Sequence, residues 1–219
     1  GELTVPEVEQ TERHGVYIVG YTDGTFGPSR SMTRSEAAAI FARLLAEKNG
    51  DTISTAANTK FADIPAHAWY SGYVKYLSNN GITYGKSKTI FAPNDAITRA
   101  EFTTMAVRFF DVYGDGDAEI MEQFSGFSDV SSGYWAAEYI KYAALHGWIN
   151  GYGDGSFHAE REINRAEVVT IVNRLLGREA DEDYIADNLR KLNTFPDVTK
   201  RHWAYYAVME AANAHTAVL

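Results

Sequence analysis

Cysteine is absent from these 219 residues, which removes thiolate metal sites, cysteine nucleophiles and any disulfide framework together. Also missing is an apolar run of about 18 residues, the length a membrane-crossing helix requires, so insertion into a bilayer is not expected. Positive charge is in the minority: 20 Lys and Arg face 29 Asp and Glu, for a formal charge of −9. A polyphosphate partner needs a broad basic surface, so nucleic acid and anionic membrane are poor partners. An anionic ligand would have to be held by local cations. Gly1 follows no basic-plus-apolar leader, so any signal peptide is expected to lie outside this sequence. The six histidines are scattered, with no HExxH and no i, i+4 pair, and ligand roles are not expected of them. No GxSxG elbow is found, so no catalytic residue, metal or cofactor is assigned. Asp111, Asp115 and Asp117 hint at a calcium loop, but the run fails the EF-hand pattern, with Tyr113 at its third position, and reads as a solvated acidic loop.

What the chain does have is an internal repeat. Gly20 to Glu36 (GYTDGTFGPSRSMTRSE), Gly85 to Glu101 (GKSKTIFAPNDAITRAE) and Gly151 to Glu167 (GYGDGSFHAEREINRAE) align without gaps. Phe26, Phe91 and Phe157 each stand eight residues before an arginine: Arg34, Arg99 and Arg165. A second set aligns as well: Phe61-Ala62-Asp63 with Trp69, Phe127-Ser128-Asp129 with Trp135, and Phe195-Pro196-Asp197 with Trp203. The chain starts on the first half-motif and finishes on the second. It therefore divides into a part-repeat (1–50), two full repeats (51–114 and 115–178) and a C-terminal half-repeat (179–219) that completes the first. On this reading the helix near Trp203 packs against Tyr17 to Leu45 and closes a ring of three units.

Each arginine opens an amphipathic stretch. Ala37, Ile40, Phe41 and Leu44 follow the i, i+3, i+4, i+7 spacing, as do Phe102, Met105, Ala106 and Phe109, and Val168, Ile171, Val172 and Leu175. Thr33 with Glu36, and Thr98 with Glu101, spell capping boxes; Asn164 with Glu167 is a close variant. Gly50, Gly114 and Gly177 stand at or just past the ends. Second helices are predicted over Trp69 to Asn80, Trp135 to His146 and Trp203 to about Ala214. Smaller ones are predicted over Asp183 to Leu192 and Ala118 to Phe124, with at most short extended pieces such as Val16 to Val19. The fold class is mainly α, in helix-loop-helix units.

The repeated polar and aromatic positions carry the functional signal. An arginine at the first position of a helix meets the positive end of the macrodipole, at a cost of about 0.3–1 kcal/mol. Its threefold recurrence points to an anion held between guanidinium and helix N-terminus, or else to pairing with a carboxylate such as Asp63 or Asp129. The capping-box glutamates read as structural. Trp69, Trp135 and Trp203 fit either a core or a platform for sugar C–H faces. Asp63, Asp129 and Asp197 fit turn braces or acceptors for sugar hydroxyls. Repeated acids divided among equivalent units suit binding valency better than one active site, so no enzyme is expected.

The runs MTRSE, ITRAE and INRAE, the turns GYTDGTF and GYGDGSF, and FADI, FSDV and FPDV before Trp closely resemble S-layer homology domains, over almost all of Val16 to Ala214. The resemblance implies a pseudo-threefold spindle around a central helical bundle. It also implies non-covalent anchoring of a bacterial surface protein, outside the cell, to an acidic and often pyruvylated secondary cell-wall polysaccharide. Further covalently linked domains are compatible with it. The glycan-binding residues it implies are Arg34, Arg99, Arg165, Asp63, Asp129, Asp197, Trp69, Trp135, Trp203, Gly20, Tyr21, Gly85, Gly151 and Tyr152. The middle unit departs from the pattern: Lys86, Ser87, Lys88 and Thr89 stand where the last unit has Tyr152, Gly153, Asp154 and Gly155. Arg99→Ala is accordingly expected to cost less binding than Arg165→Ala. A module for protein interaction or self-assembly, its motifs purely structural, is the competing expectation.

Overall fold

Three helices start on the same device. Thr33, Thr98 and Asn164 each accept a hydrogen bond on the side chain from the backbone N–H of the glutamate three residues on, and that glutamate accepts from the cap's own N–H at 2.8–3.0 Å. This satisfies two otherwise unpaired donors at each helix start. The computed structural model describes residues 11–114 and 124–218. Its elements run β1 (Thr11–His14), α1 (Arg34–Asn49), α2 (Ser71–Asn79), α3 (Arg99–Tyr113), α4 (Ala137–Leu145), α5 (Arg165–Leu175), α6 (Glu182–Asn188), α7 (Tyr205–Ala212) and β2 (His215–Val218). The expected helix over Ala118 to Phe124 falls, apart from Phe124, in 115–123, outside the described residues, as do the loop positions Asp115 and Asp117.

α1, α3 and α5 form the central bundle, and α2, α4 and α7 pack against them in that order. All twelve apolar positions picked out by the helical spacing are buried, and Phe41 meets Phe102 and Phe109 at 5.3 and 4.9 Å between ring centres. The outer helices begin two residues later than the sequence implied. Trp69, Trp135 and Trp203 lie in tight turns, and Tyr70, Ala136 and Ala204 act as N-caps without a side-chain bond.

The threefold arrangement is visible in the backbone. Met32 N–H donates to Ile163 O, Ile163 N–H to Ile97 O, and Ile97 N–H to Met32 O, each near 3.0 Å, so three short segments bond in a closed triangle. The neighbouring amides repeat the cycle: Arg34 to Asp95, Arg99 to Arg161 and Arg165 to Arg30. Each unit thus leans on the next, and the third leans on the first.

The first and last described segments join this ring. β1 and β2 pair antiparallel, with His14 opposite His215, a sheet the sequence did not announce. Val16 to Val19, the anticipated extended piece, forms no strand; Tyr17 N–H instead donates to Ala211 O at 3.2 Å. α7 takes α5 as its helical partner rather than α1. Its unit meets the expected N-terminal segment through Tyr17 and through Phe195, whose ring packs on Phe26 at 5.3 Å. α6 ends at Asn188, short of Leu192. Among the described residues no helix is long and apolar enough to cross a membrane.

Candidate functional site

The second half-motif is a clamp on the first. Asp63 accepts the N–H groups of Phe91 and Ala92, Asp129 those of Phe157 and His158, and Asp197 those of Phe26 and Gly27, all at 2.7–2.9 Å. The residue after each Phe is left-handed, with φ of 58° at Ala92, 54° at His158 and 68° at Gly27. For the two non-glycine residues that conformation costs about 1–2 kcal/mol, which the two charge-assisted bonds offset. Burial pushes the Asp129 and Asp197 carboxyls up, but the paired amides outweigh it, and both titrate below the usual carboxylate range. Bracing is therefore the observed work of these aspartates. The same clamp explains the repeated glycines. A Cβ on Gly20, Gly85 or Gly151 would run into the ring of Phe195, Phe61 or Phe127 and lie 2.6–2.9 Å from a turn carbonyl.

The three arginines are straps between units. Arg34, Arg99 and Arg165 are 4, 5 and 4% exposed. Their Nε atoms donate across the unit boundary to Phe91 O, Phe157 O and Phe26 O at 2.7–2.8 Å. Nη1 of Arg34 lies 3.0 Å from Glu101 and Nη1 of Arg99 lies 3.1 Å from Glu167. Nη2 of Arg165 donates to Val19 O at 2.6 Å. The carboxylate partners of Arg34 and Arg99 are thus the next unit's capping glutamates rather than Asp63 or Asp129. Burial lowers the pKa of Arg99 and Arg165, the neighbouring Tyr152 and Tyr21 and then Glu167 and Glu36 raise it, and both remain cations. A motif arginine consequently serves the turn of the following unit, not its own. That reassigns the weakened turn of the middle unit from Arg99 to Arg34.

The tryptophans are outside the core: Trp69, Trp135 and Trp203 are 54, 56 and 66% exposed. Two clefts bring them to the arginines. One, of about 250 Å³, is lined by Gly20, Tyr21, Glu36, Arg43, Trp69 and Arg165. The other, of about 210 Å³, is lined by Gly151, Tyr152, Glu167, Arg174, Trp203 and Arg99. These are equivalent positions of the repeat, contributed in each case by three different units. A larger cavity of about 300 Å³ beside α4 contains none of the repeated arginines or tryptophans.

In both clefts the turn tyrosine has two guanidinium groups close to its ring. Arg30 and Arg165 stand 4.4 and 4.7 Å from the Tyr21 ring centre, and Arg161 and Arg99 stand 5.4 and 5.1 Å from Tyr152. Arg161 also bonds Glu167 and the Tyr152 hydroxyl. Cations therefore gather in these clefts although the chain as a whole is acidic. Arg43, Arg108 and Arg174 escaped the sequence reading. Each follows its capping glutamate by seven residues, two helical turns along the same face, and that recurrence was available in the sequence.

The middle unit is built differently. Lys86 replaces the tyrosine and pairs with Asp95 at 3.3 Å, where the other units have arginine, so the aromatic and its flanking cation are both lost. Ser87 holds the turn by accepting from Thr89 and Ile90, in place of the Asp23 and Asp154 carboxylates that accept from Thr25 and Ser156. Tyr84 lies over Arg108 at 4.7 Å.

The S-layer homology domain family matches residues 5–38, 60–103 and 126–169, more than half of the chain. Cell surface glycoprotein 1 of Acetivibrio thermocellus is 34% identical over 214 residues, 94% of this chain and 9% of that protein. The cellulosome-anchoring protein of the same organism is 30% identical over 214 residues, 97% of this chain and 45% of that protein. The surface-layer 125 kDa protein of Lysinibacillus sphaericus is 32% identical over 163 residues, 73% and 13% of the two chains. The chain spans less than half the length of each. With its three matched repeats and these cell-surface relatives, the chain belongs to the S-layer homology domain family of bacterial cell-surface proteins.

Proposed function

We propose that this protein is a non-catalytic anchor that holds a surface protein to the bacterial wall by binding an acidic, pyruvylated secondary cell-wall polysaccharide. The observation that carries the proposal is the pair of equivalent clefts, each joining an exposed tryptophan to a cluster of guanidinium groups and a glycine-tyrosine turn. Trp69 and Trp203 offer a flat apolar face for sugar C–H groups. Arg43 and Arg174 offer the charge for a ketal carboxylate, since Arg165 and Arg99 spend most of their donors on backbone carbonyls and a capping glutamate. Two weak sites on one module reinforce each other on a polymer. A relative named as anchoring the cellulosome supports the same reading.

Co-sedimentation with purified wall sacculi tests it. Binding is expected to disappear once the polysaccharide is stripped from the peptidoglycan. Sedimentation unchanged by stripping would overturn the proposal and leave the protein-interaction alternative.

A further inference from the structure

One cluster shares no residue with these clefts. β1, the end of α7 and β2 bring together His14, Glu210 and His215, whose ligating atoms all fall within 4.8 Å of one another. His14 and Glu210 are 4 and 1% exposed, and the His215 side chain 5%. Glu210 Oε1 meets His14 Nδ1 at 2.7 Å. Glu210 Oε2 is shielded from water and has no hydrogen-bond partner, although His215 Nε2 stands only 3.2 Å away.

The tautomer of His215 sharpens this. Its Nδ1 lies 3.3 Å from the Asn213 carbonyl, which can only accept; with the proton on Nδ1 to serve that carbonyl, Nε2 presents its lone pair to Glu210. In that tautomer a lone pair and a buried carboxylate oxygen face each other without water and repel, and a cation between them relieves the repulsion. The geometry points to a site for a divalent transition-metal ion of the zinc type, held by His14 Nδ1, Glu210 and His215 Nε2. Two imidazoles and a carboxylate are a zinc donor set, and bonds of about 2.0–2.1 Å in a tetrahedron want ligand atoms about 3.3 Å apart. The outer groups fit as well. The far nitrogen of His215 has Asn213 O to donate to, a partner of the kind that orients metal-binding histidines, and the Glu12 carboxylate lies 3.9 Å from His14 Nε2, within reach of its charge though beyond a hydrogen bond. The Tyr184 ring covers His215 at 5.4 Å. Because the three ligands come from the two ends of the chain, the ion would staple the ring shut where β1 meets β2.

The test uses the whole chain, dialysed against chelator and then titrated with Zn²⁺ and with Co²⁺. One ion per chain is expected, with the visible absorption of four-coordinate cobalt. A rise in melting temperature on the order of 5 °C is expected at a hundredfold excess over Kd. His215→Gln, at the edge of the cluster, and Glu210→Gln should each weaken zinc binding at least tenfold. Absence of saturable binding would overturn the site, as would unchanged affinity in His215→Gln. So would a melting temperature that follows pH but ignores zinc, which would put a proton between the two groups instead.

Discussion

Replacing Arg165 with methionine keeps the length of the aliphatic stem and removes the strap. Phe26 O loses a donor at 2.8 Å and Val19 O one at 2.6 Å, and the site has almost no access to water. Hydrogen bonds from a charged group contribute about 1.5–3 kcal/mol each, so the loss is about 3–5 kcal/mol. For a chain of this size that corresponds to a fall of roughly 6–20 °C in melting temperature. Arg34→Met should destabilise comparably, because Arg34 makes one bond to Phe91 O and one ion pair to Glu101. Binding should separate the two. Arg165 stands in the cleft with Tyr21 and Trp69, whereas Arg34 serves the Lys86 turn, so only Arg165→Met should weaken the glycan when both are assayed well below their melting points. Thermal denaturation by circular dichroism and titration calorimetry give the two readouts. Melting losses under about 2 °C would refute the strap argument, and equal losses of affinity would refute the assignment of each arginine to the following unit.

Trp69→Ala and Trp203→Ala should change stability little, because both rings are more than half exposed. Each should cost about 1–2 kcal/mol of glycan binding at its cleft, and together they should abolish retention on sacculi, while Trp135→Ala has a smaller effect. Acid should loosen the ring through the aspartate clamps. Asp129 and Asp197 have folded pKa values below the 3.8 of the free carboxyl, so their contribution is full above that value and is lost as pH falls through the lower folded one. Urea melts at pH 7 and pH 3 should show the decline, and Asp197→Asn should flatten it. An unchanged acid dependence in that variant would count against the clamp.

Much of the architecture was legible because it is written locally and three times. Capping boxes and the spacing of Phe41, Phe102 and Val172 with their neighbours announce α1, α3 and α5 through short-range rules. The division of the chain into half-motifs announces a closed ring. What was not legible depends on contacts across units. The sequence shows Arg99 beside the Lys86 turn of its own repeat, but only the fold reveals that its side chain crosses to Phe157. The tryptophans looked equally like core, since an aromatic before a helix carries no mark of which way it faces. β1 and β2 lack alternation, and four residues each is too short for periodicity to register; their pairing follows from ring closure. His14, Glu210 and His215 were read as scattered for the same reason, with His14 and Glu210 196 positions apart.

The central claim is that two of three equivalent clefts recognise an acidic sugar. Titration calorimetry of this chain with a pyruvylated wall disaccharide tests it most directly. Two sites per chain are predicted, with at least tenfold weaker binding of the same disaccharide lacking the pyruvyl group. No binding, or equal affinity for the uncharged sugar, would contradict it.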